Sequence, residues 1–214
     1  MGYKNILFDM DGTLSDPYVG ISNGIIYSLQ KFNITERDEA KFKMFIGPPL
    51  NQSFMEIYNF DSSTAKDAVK YYREYYSEKG IFENRLYEGI DTVLKTLTQN
   101  NKNCMVATSK PTEFAVRLLK YFNISEYFQD VIGSNLDGTF SEKEEIIKSV
   151  IEKHNLDKVE TVMIGDKKHD INGAHKNDID SVAVMYGYGS AEELEAAKPT
   201  YLCSSVQGIL EVMI

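Results

Sequence analysis

Two aspartates separated by one residue, Asp9 and Asp11, follow the apolar residues 6–8 near the start of the chain and come directly before Gly12. Carboxylates this close repel each other, and each loses hydration beside a protein core. A bound cation and a substrate that use both groups would offset this cost. The pair is therefore the first candidate for catalysis and for metal binding.

Two other structures could explain an Asp-x-Asp-Gly string. Asp-Gly is common in hairpin turns, and an EF-hand loop opens with Asp-x-Asp. The EF-hand needs a closing Glu at its twelfth position, where this chain has Gly20, so that alternative fails. Against the hairpin, apolar residues recur at helical spacing in the segment 21–32 and predict a strand, an acidic loop and a helix in succession.

Composition restricts the partners of such a site. The chain has 214 residues, 43% of them hydrophobic and 26% charged, which predicts a folded protein of one large domain or of a core with a smaller insert. The net charge of −9 argues against nucleic acid or an anionic membrane as a partner, but not against a small phosphorylated metabolite bound with a cation. The sequence contains no recognisable signal peptide or membrane-spanning stretch. We therefore expect a cytoplasmic protein, a monomer or a small homo-oligomer.

Apolar strands alternate with amphipathic helices from about residue 87 onward. Short buried strands are predicted at 104–107, 131–132, 162–164 and 182–184, with helical apolar stripes between them. Residues 6–8 form one more strand of the same kind. This alternation predicts an α/β fold, with a parallel sheet covered by helices on both faces.

Residues 17–85 have a different pattern, with helical stretches and no convincing buried strand. The economical interpretation is an all-helical cap domain inserted between the first strand and the second. Residues 1–16 and 86–214 would then form the α/β core.

Polar side chains follow several of the predicted strands, and Lys143 stands shortly before the predicted helix that contains Ile146. Because ligands bind at the carboxyl ends of the strands in an open parallel sheet, these side chains are expected to meet Asp9 and Asp11 at one edge. Each of them alone also has an ordinary explanation as a turn or a helix cap. The residues concerned are Thr108, Ser109, Lys110, Lys143, Asp166 and Asp170.

With these motifs, the chain resembles the haloacid dehalogenase-like superfamily over its whole length, and specifically its phosphatases with a small helical cap. Asp9-Met10-Asp11-Gly12-Thr13 matches the first family motif, Thr108 the second, Lys143 the third, and Gly165-Asp166 with Asp170 the fourth. The resemblance implies a Rossmann-like core and Mg²⁺-dependent phosphoryl transfer through an aspartyl-phosphate.

The resemblance also implies a role for each acidic residue. Asp9 would be the nucleophile and a metal ligand, and Asp11 would be the general acid and base, with its backbone carbonyl on the metal. Asp166 would supply a further carboxylate to Mg²⁺. Asp170 would either ligate the metal directly or orient a metal-bound water.

Other residues are expected to contact the substrate. Lys143 and the Thr108 hydroxyl would hold the phosphoryl oxygens. Lys110, with Ser109, resembles a substrate-side lysine of related phosphatases, and the loop containing Gly47 resembles a cap segment that faces the active site. The string Gly187-Tyr188-Gly189 is interpreted as a turn after a strand.

The leading hypothesis is a Mg²⁺-dependent phosphatase for a small phosphomonoester of the phosphoglycolate or 5′-nucleotide type. Dehalogenases of this fold lack an acid equivalent to Asp11, because a halide leaves without a proton. Two alternatives stay open: a β-phosphoglucomutase-like phosphomutase, and a catalytically silent protein that binds phosphate or metal for regulation.

Overall fold

The structure is a computed structural model, and it describes residues 2–214. The chain forms two compact units. One comprises the chain up to Asp16 together with Leu86–Ile214, and the other is Pro17–Arg85. Within residues 2–214, no helix combines the length and the apolar composition needed to cross a membrane.

The strands and helices alternate along the larger unit, as the sequence predicts. The strands in chain order are β1 (Asn5–Phe8), β2 (Ser15–Asp16), β3 (Arg85–Leu86), β4 (Asn103–Pro111), β5 (Phe128–Ser134), β6 (Thr161–Gly165), β7 (Asp180–Val184) and β8 (Tyr201–Cys203). The helices in chain order are α1 (Tyr18–Gln30), α2 (Glu39–Lys43), α3 (Leu50–Tyr58), α4 (Ser62–Tyr76), α5 (Ile90–Gln99), α6 (Thr112–Tyr121), α7 (Lys143–His154), α8 (Lys168–Lys176), α9 (Ala191–Ala196) and α10 (Gly208–Met213).

Six strands form one parallel sheet in the order β5-β4-β1-β6-β7-β8, while β2 and β3 pair separately. The chain fills the sheet on one side of β1 and then returns to fill the other side. This is the Rossmann strand order, and the reversal creates a crevice beside the carboxyl end of β1. The predicted α/β class and Rossmann-like core are confirmed.

The central position of β1 follows from its sequence. Ile6, Leu7 and Phe8 are fully buried, as expected for a strand that is covered on both faces and paired on both edges. Phe8 lies in register with Val106 of β4 and Ile164 of β6. The residues that follow these three strands therefore reach the same edge of the sheet.

Helix α7 covers one face of the sheet. Its buried residues Ile146, Ile147 and Val150 belong to the same apolar cluster as Leu7 and Met163 of the sheet. Burial of such side chains contributes roughly 1.5–3 kcal/mol each relative to exposure. The packing of α7 also fixes the position of its first residue, which is Lys143.

The structure extends two of the predicted elements in ways that matter for the site. Strand β4 continues beyond the predicted residues 104–107 as far as Pro111, so that Thr108, Ser109 and Lys110 belong to it. Lys143 was expected shortly before a helix and is instead the first residue of α7. Strand β8 was not predicted, because two of its three residues, Tyr201 and Leu202, are exposed and give no buried-strand pattern.

The unit Pro17–Arg85 is mainly helical. Helices α1 and α4 pack together, with the Ser28 hydroxyl donating to the carbonyl of Ala68 at 2.7 Å. Gly20 is required in α1, because a Cβ atom there would lie 1.8 Å from the carbonyl oxygen of Gly80. The turn between α2 and α3 contains the exposed Gly47, whose φ of +108° favours glycine.

Candidate active site

Asp9 is held at the carboxyl edge of the sheet by its own backbone. Its amide donates to the carbonyl of Ile164 at 2.9 Å, which continues the β1–β6 ladder by one residue. The Asp9 residue is 8% exposed and Asp166, directly after β6, is fully buried. The strand ladder therefore brings these two carboxylates to the crevice, as the sequence predicts.

The loop after Asp9 is a compact turn that packs on Asp166. The amides of Leu14 and Ser15 both donate to the carbonyl of Met10, at 2.9 and 3.0 Å. Gly12 has a φ of +83°, and a Cβ atom there would lie 2.1 Å from Asp166 Oδ2. Glycine is therefore needed in this motif both for its conformation and for its lack of a side chain.

Asp170 joins these two carboxylates from the first turn of α8. Its Oδ2 accepts from the amide of Lys167 at 3.0 Å, and the residue is 1% exposed. A Cβ atom at Gly165 would lie 2.1 Å from Asp170 Cγ. The carboxylate thus folds back over the end of β6, where glycine leaves room for it.

Asp9, Asp166 and Asp170 form a carboxylate cluster in which each offers an oxygen within 4.8 Å of the others. Burial and the charges of Asp170 and Asp9 raise the pKa of Asp166 well above its usual range. Burial and the charge of Asp9 raise the pKa of Asp170 to about 6, against the opposing effect of Lys143. Buried carboxylates that repel each other in this way fit a divalent cation, and oxygen donors are the ligands that Mg²⁺ prefers.

Lys143 provides the positive charge within this cluster. Its Nζ lies 2.8 Å from Asp9 Oδ1 and 2.9 Å from Asp170 Oδ1, and it donates to the carbonyl of Ala107 at 3.0 Å. Burial alone would lower the pKa of Lys143, but the charges of Asp170 and Asp9 outweigh this effect and raise it. The ammonium therefore stays charged at neutral pH and aligns the Asp9 carboxylate.

Asp11 lies outside the three-carboxylate cluster and pairs with Lys110. Lys110 Nζ donates to Asp11 Oδ2 at 2.6 Å, with the two side chains 5% and 15% exposed. Asp11 Oδ1 is buried and has no hydrogen-bond partner within residues 2–214. Burial raises the pKa of Asp11 despite the opposing charge of Lys110. This carboxyl group is thus available to hold or release a proton.

The other predicted substrate-side residues lie at different positions. Thr108 is 1% exposed, and its hydroxyl accepts from the amide of Lys110 at 3.2 Å. The Ser109 hydroxyl donates to the carbonyl of Ser141 at 2.9 Å, which ties β4 to the segment before α7. Gly47 belongs to the separate helical unit, within the turn described above. The structure therefore forms the carboxylate cluster with Lys143 and, beside it, the Asp11–Lys110 pair. The hydroxyls of Thr108 and Ser109 bond to backbone groups instead.

One feature of the site was interpreted from sequence only as a turn. Gly187-Tyr188-Gly189 follows β7, and the amide of Tyr188 donates to Asp166 Oδ2 at 2.8 Å. The Thr13 hydroxyl approaches Asp166 Oδ1 at 3.4 Å. The sequence signal that indicates this contact is the position of Gly187-Tyr188-Gly189 shortly after a predicted strand. That strand, β7, is the neighbour of β6, so the carboxyl ends of the two strands lie at one edge of the sheet.

Comparison with known proteins gives consistent results along almost the whole chain. Residues 6–184 match the sequence profile of a family described as haloacid dehalogenase-like hydrolase. A 5′-nucleotidase from Pseudomonas aeruginosa is 41% identical over 211 residues, which cover 99% of this chain and 96% of that protein. A phosphoglycolate phosphatase from Photobacterium profundum is 29% identical over 226 residues, which cover 99% and 96% respectively. The solved structure of a predicted phosphatase from Clostridium acetobutylicum has a TM-score of 0.94 at 44% identity and covers 99% of this chain and 98% of that chain.

Proposed function

The chain belongs to the haloacid dehalogenase-like hydrolases, and on that basis we propose that it is a Mg²⁺-dependent phosphatase that hydrolyses a small phosphomonoester through an aspartyl-phosphate on Asp9. The observation that carries this proposal is the carboxylate cluster with Lys143 at the carboxyl edge of the sheet, beside the Asp11–Lys110 pair. The proposal assigns the nucleophile, the compensating positive charge and the proton-holding carboxyl group to this one crevice.

The cation would be held by the side chains of Asp9 and Asp166 and by the backbone carbonyl of Asp11. Asp170 would contribute either directly or through a water that it orients. When bound, Mg²⁺ would neutralise the phosphoryl oxygens and so reduce their repulsion by the acidic site.

In the first chemical step, an Asp9 carboxylate oxygen forms a bond to phosphorus while the bond from phosphorus to the ester oxygen breaks. Asp11 gives its proton to the departing alkoxide. In the second step, water attacks the phosphorus of the aspartyl-phosphate and transfers a proton to Asp11. Inorganic phosphate leaves, Asp9 is regenerated as a carboxylate, and the proton on Asp11 is restored.

Lys143 and Thr108 hold the phosphoryl oxygens in both steps. The Lys143 ammonium is already fixed against Asp9 Oδ1, so it reduces the repulsion between this carboxylate and an incoming phosphate. Thr108 is two residues before Lys110 on the same strand, which supports this role for its hydroxyl. Positioning and charge neutralisation account for most of catalysis in phosphoryl transfer.

We propose a nucleoside 5′-monophosphate as the preferred substrate class, ahead of phosphoglycolate. The support is the higher identity to the relative named 5′-nucleotidase, 41% against 29% for the phosphoglycolate phosphatase. Residues 17–85 would act as a cap on the core of residues 1–16 and 86–214, with Gly47, Ser109 and Lys110 on the substrate side. The net charge of −9 is consistent with a small metabolite rather than a nucleic acid.

The test is phosphate release from nucleoside monophosphates, phosphoglycolate, sugar phosphates and p-nitrophenyl phosphate, with Mg²⁺ and with EDTA. We expect turnover that needs the cation and is lost in Asp9→Asn. Asp130→Asn is a matched control, because it makes the same change at a carboxylate that pairs instead with Lys153 and His154. Undiminished turnover in Asp9→Asn would overturn the mechanism, and interchange of sugar-phosphate isomers without phosphate release would indicate a mutase.

A further inference from the structure

The turn of residues 185–189, which we name the tyrosine turn, contacts the site through other hydrogen bonds besides the one from the Tyr188 amide to Asp166. The hydroxyl of Tyr186 donates to the carbonyl of Thr13 at 2.9 Å. The hydroxyl of Tyr188 donates to Asp16 Oδ1 in a short hydrogen bond. The turn is thus bonded to the segment that begins with the two catalytic aspartates and ends where the chain leaves the core.

The backbone of the tyrosine turn packs directly on Asp166. A Cβ atom at Gly187 would lie 2.3 Å from Asp166 Cβ and 2.5 Å from the carbonyl oxygen of Gly12. A Cβ atom at Gly189 would lie 2.1 Å from the carbonyl oxygen of Asp166. The two glycines therefore let Tyr188 approach closely enough for its amide to reach the carboxylate.

Asp166 is fully buried, so its carboxylate oxygens are satisfied only by groups that the fold itself supplies. Donors that orient a metal-ligating side chain commonly change metal affinity when they are lost. The Tyr188 amide is such a donor, and the Tyr188 hydroxyl lies on the same residue at the other end of the side chain.

We propose that Tyr188 is a positioning residue for the cation site, whose hydroxyl bond to Asp16 anchors the tyrosine turn and so aims its amide at Asp166. The inference rests on the proposed function only in that the carboxylate cluster holds a divalent cation. It assigns a role to a tyrosine hydroxyl that does not contact the cation or the substrate. It also links the cation site to Asp16, the last core residue before the helical segment.

The experiment uses Mn²⁺ as the probe and measures free Mn²⁺ by electron paramagnetic resonance during titration of the full-length protein. We expect Tyr188→Phe to raise the dissociation constant about tenfold, the lower end of the range for residues that orient metal ligands. Tyr3→Phe is a matched control, because the Tyr3 hydroxyl donates to Asp180 Oδ2 at 2.7 Å. The substitution therefore removes a tyrosine–aspartate hydrogen bond elsewhere in the core. This control is expected to bind Mn²⁺ as the unaltered protein does.

Asp16 variants give a second, independent test. Asp16→Asn keeps an oxygen acceptor for Tyr188 and should retain most of the Mn²⁺ affinity, whereas Asp16→Ala should weaken it as Tyr188→Phe does. Combining Asp16→Ala with Tyr188→Phe should add little to either change alone, since both remove the same bond. Full additivity would overturn the proposed coupling.

The outcomes separate this inference from the proposed function. A lower melting temperature for Tyr188→Phe with an unchanged Mn²⁺ dissociation constant would mean a structural role only and would overturn the inference. Binding of Mn²⁺ by the unaltered protein without hydrolysis of any phosphomonoester would overturn the proposed function and leave the role of Tyr188 intact. Absence of Mn²⁺ binding by the unaltered protein would overturn both.

Discussion

Asp11→Asn separates the proposed acid from the rest of the site, because the change keeps the size of the side chain but removes its proton. The Lys110 Nζ atom lies 2.6 Å from Asp11 Oδ2, and both side chains are mostly buried. Removing one partner of a fully buried ion pair lowers the free energy of unfolding by about 3–5 kcal/mol. We expect Asp11→Asn to lower the free energy of unfolding by about 2–3 kcal/mol, because asparagine still offers Lys110 an acceptor and the Asp11 side chain is 15% exposed.

The catalytic effect of Asp11→Asn depends on the leaving group. A nucleoside alkoxide needs a proton as it leaves, and general acid catalysis contributes about 10²–10⁴-fold, or about 3–5 kcal/mol of transition-state stabilisation. p-Nitrophenolate is stable as an anion and gains little from a proton. The expected result is therefore a loss of kcat/KM of about 10²–10⁴-fold for a nucleoside monophosphate and a much smaller loss for p-nitrophenyl phosphate.

The assay compares kcat/KM for the two substrates, because this ratio reports steps only up to transfer of phosphate to Asp9. The value of kcat also includes hydrolysis of the aspartyl-phosphate, which needs Asp11 as a base whatever the leaving group was. The double variant Asp11→Asn/Lys110→Met removes the whole ion pair and so controls for an unpaired buried lysine. Equal losses of kcat/KM for both substrates would refute the assignment of Asp11 as the acid.

Three further predictions follow from other contacts. Gly12→Ala should abolish cation binding in a Mn²⁺ titration because its Cβ would lie 2.1 Å from Asp166 Oδ2, whereas Gly138→Ala, which also has positive φ but nothing within 4 Å, should keep it. Urea unfolding in EDTA should show the free energy of unfolding falling as pH rises from about 4 through about 6, since the folded-state pKa of Asp170 is raised to about 6 and the folded protein loses this proton there. Mg²⁺ should restore the free energy of unfolding above that range. The same dependence on pH in Asp170→Asn would contradict the assignment of this change to Asp170. Leu7→Ala, in the fully buried β1 strand, should cost about 3–5 kcal/mol of unfolding free energy, and Val159→Ala, at a side chain 80% exposed, should cost less than about 0.5 kcal/mol.

The sheet and its polar edge were predictable because apolar runs and strand ends are local signals. Residues 6–8 and 162–164 are apolar over their whole length, which is typical of strands buried on both faces. Parallel pairing then requires the residues after them, Asp9 and Asp166, to meet at one edge. Their proximity could therefore be inferred without any knowledge of distances, although their chemical roles stay predictions.

Contacts between residues distant in the chain could not be predicted in this way. Lys110 was expected on the substrate side, and this stays a prediction. Its ion pair with Asp11 was not foreseen, since it depends on β4 continuing far enough to bring Lys110 beside the loop after β1. Nothing near Lys110 in the sequence indicates that strand length. The contact of Tyr188 with Asp166 depends likewise on the strand order, in which β7 is the neighbour of β6.

The central place of β1 in the sheet has a consequence for how the chain folds during synthesis. Phe8 pairs with Val106 on one edge and with Ile164 on the other, so β1 leaves the ribosome before either of its partner strands and is unpaired until much of the chain has followed. At about 5–20 residues per second, the second partner is synthesised roughly 8–30 s later. An apolar strand left unpaired for that time is a site for wrong association. The two acidic residues that follow the strand, Asp9 and Asp11, carry like charges that oppose such association while the strand is unpaired.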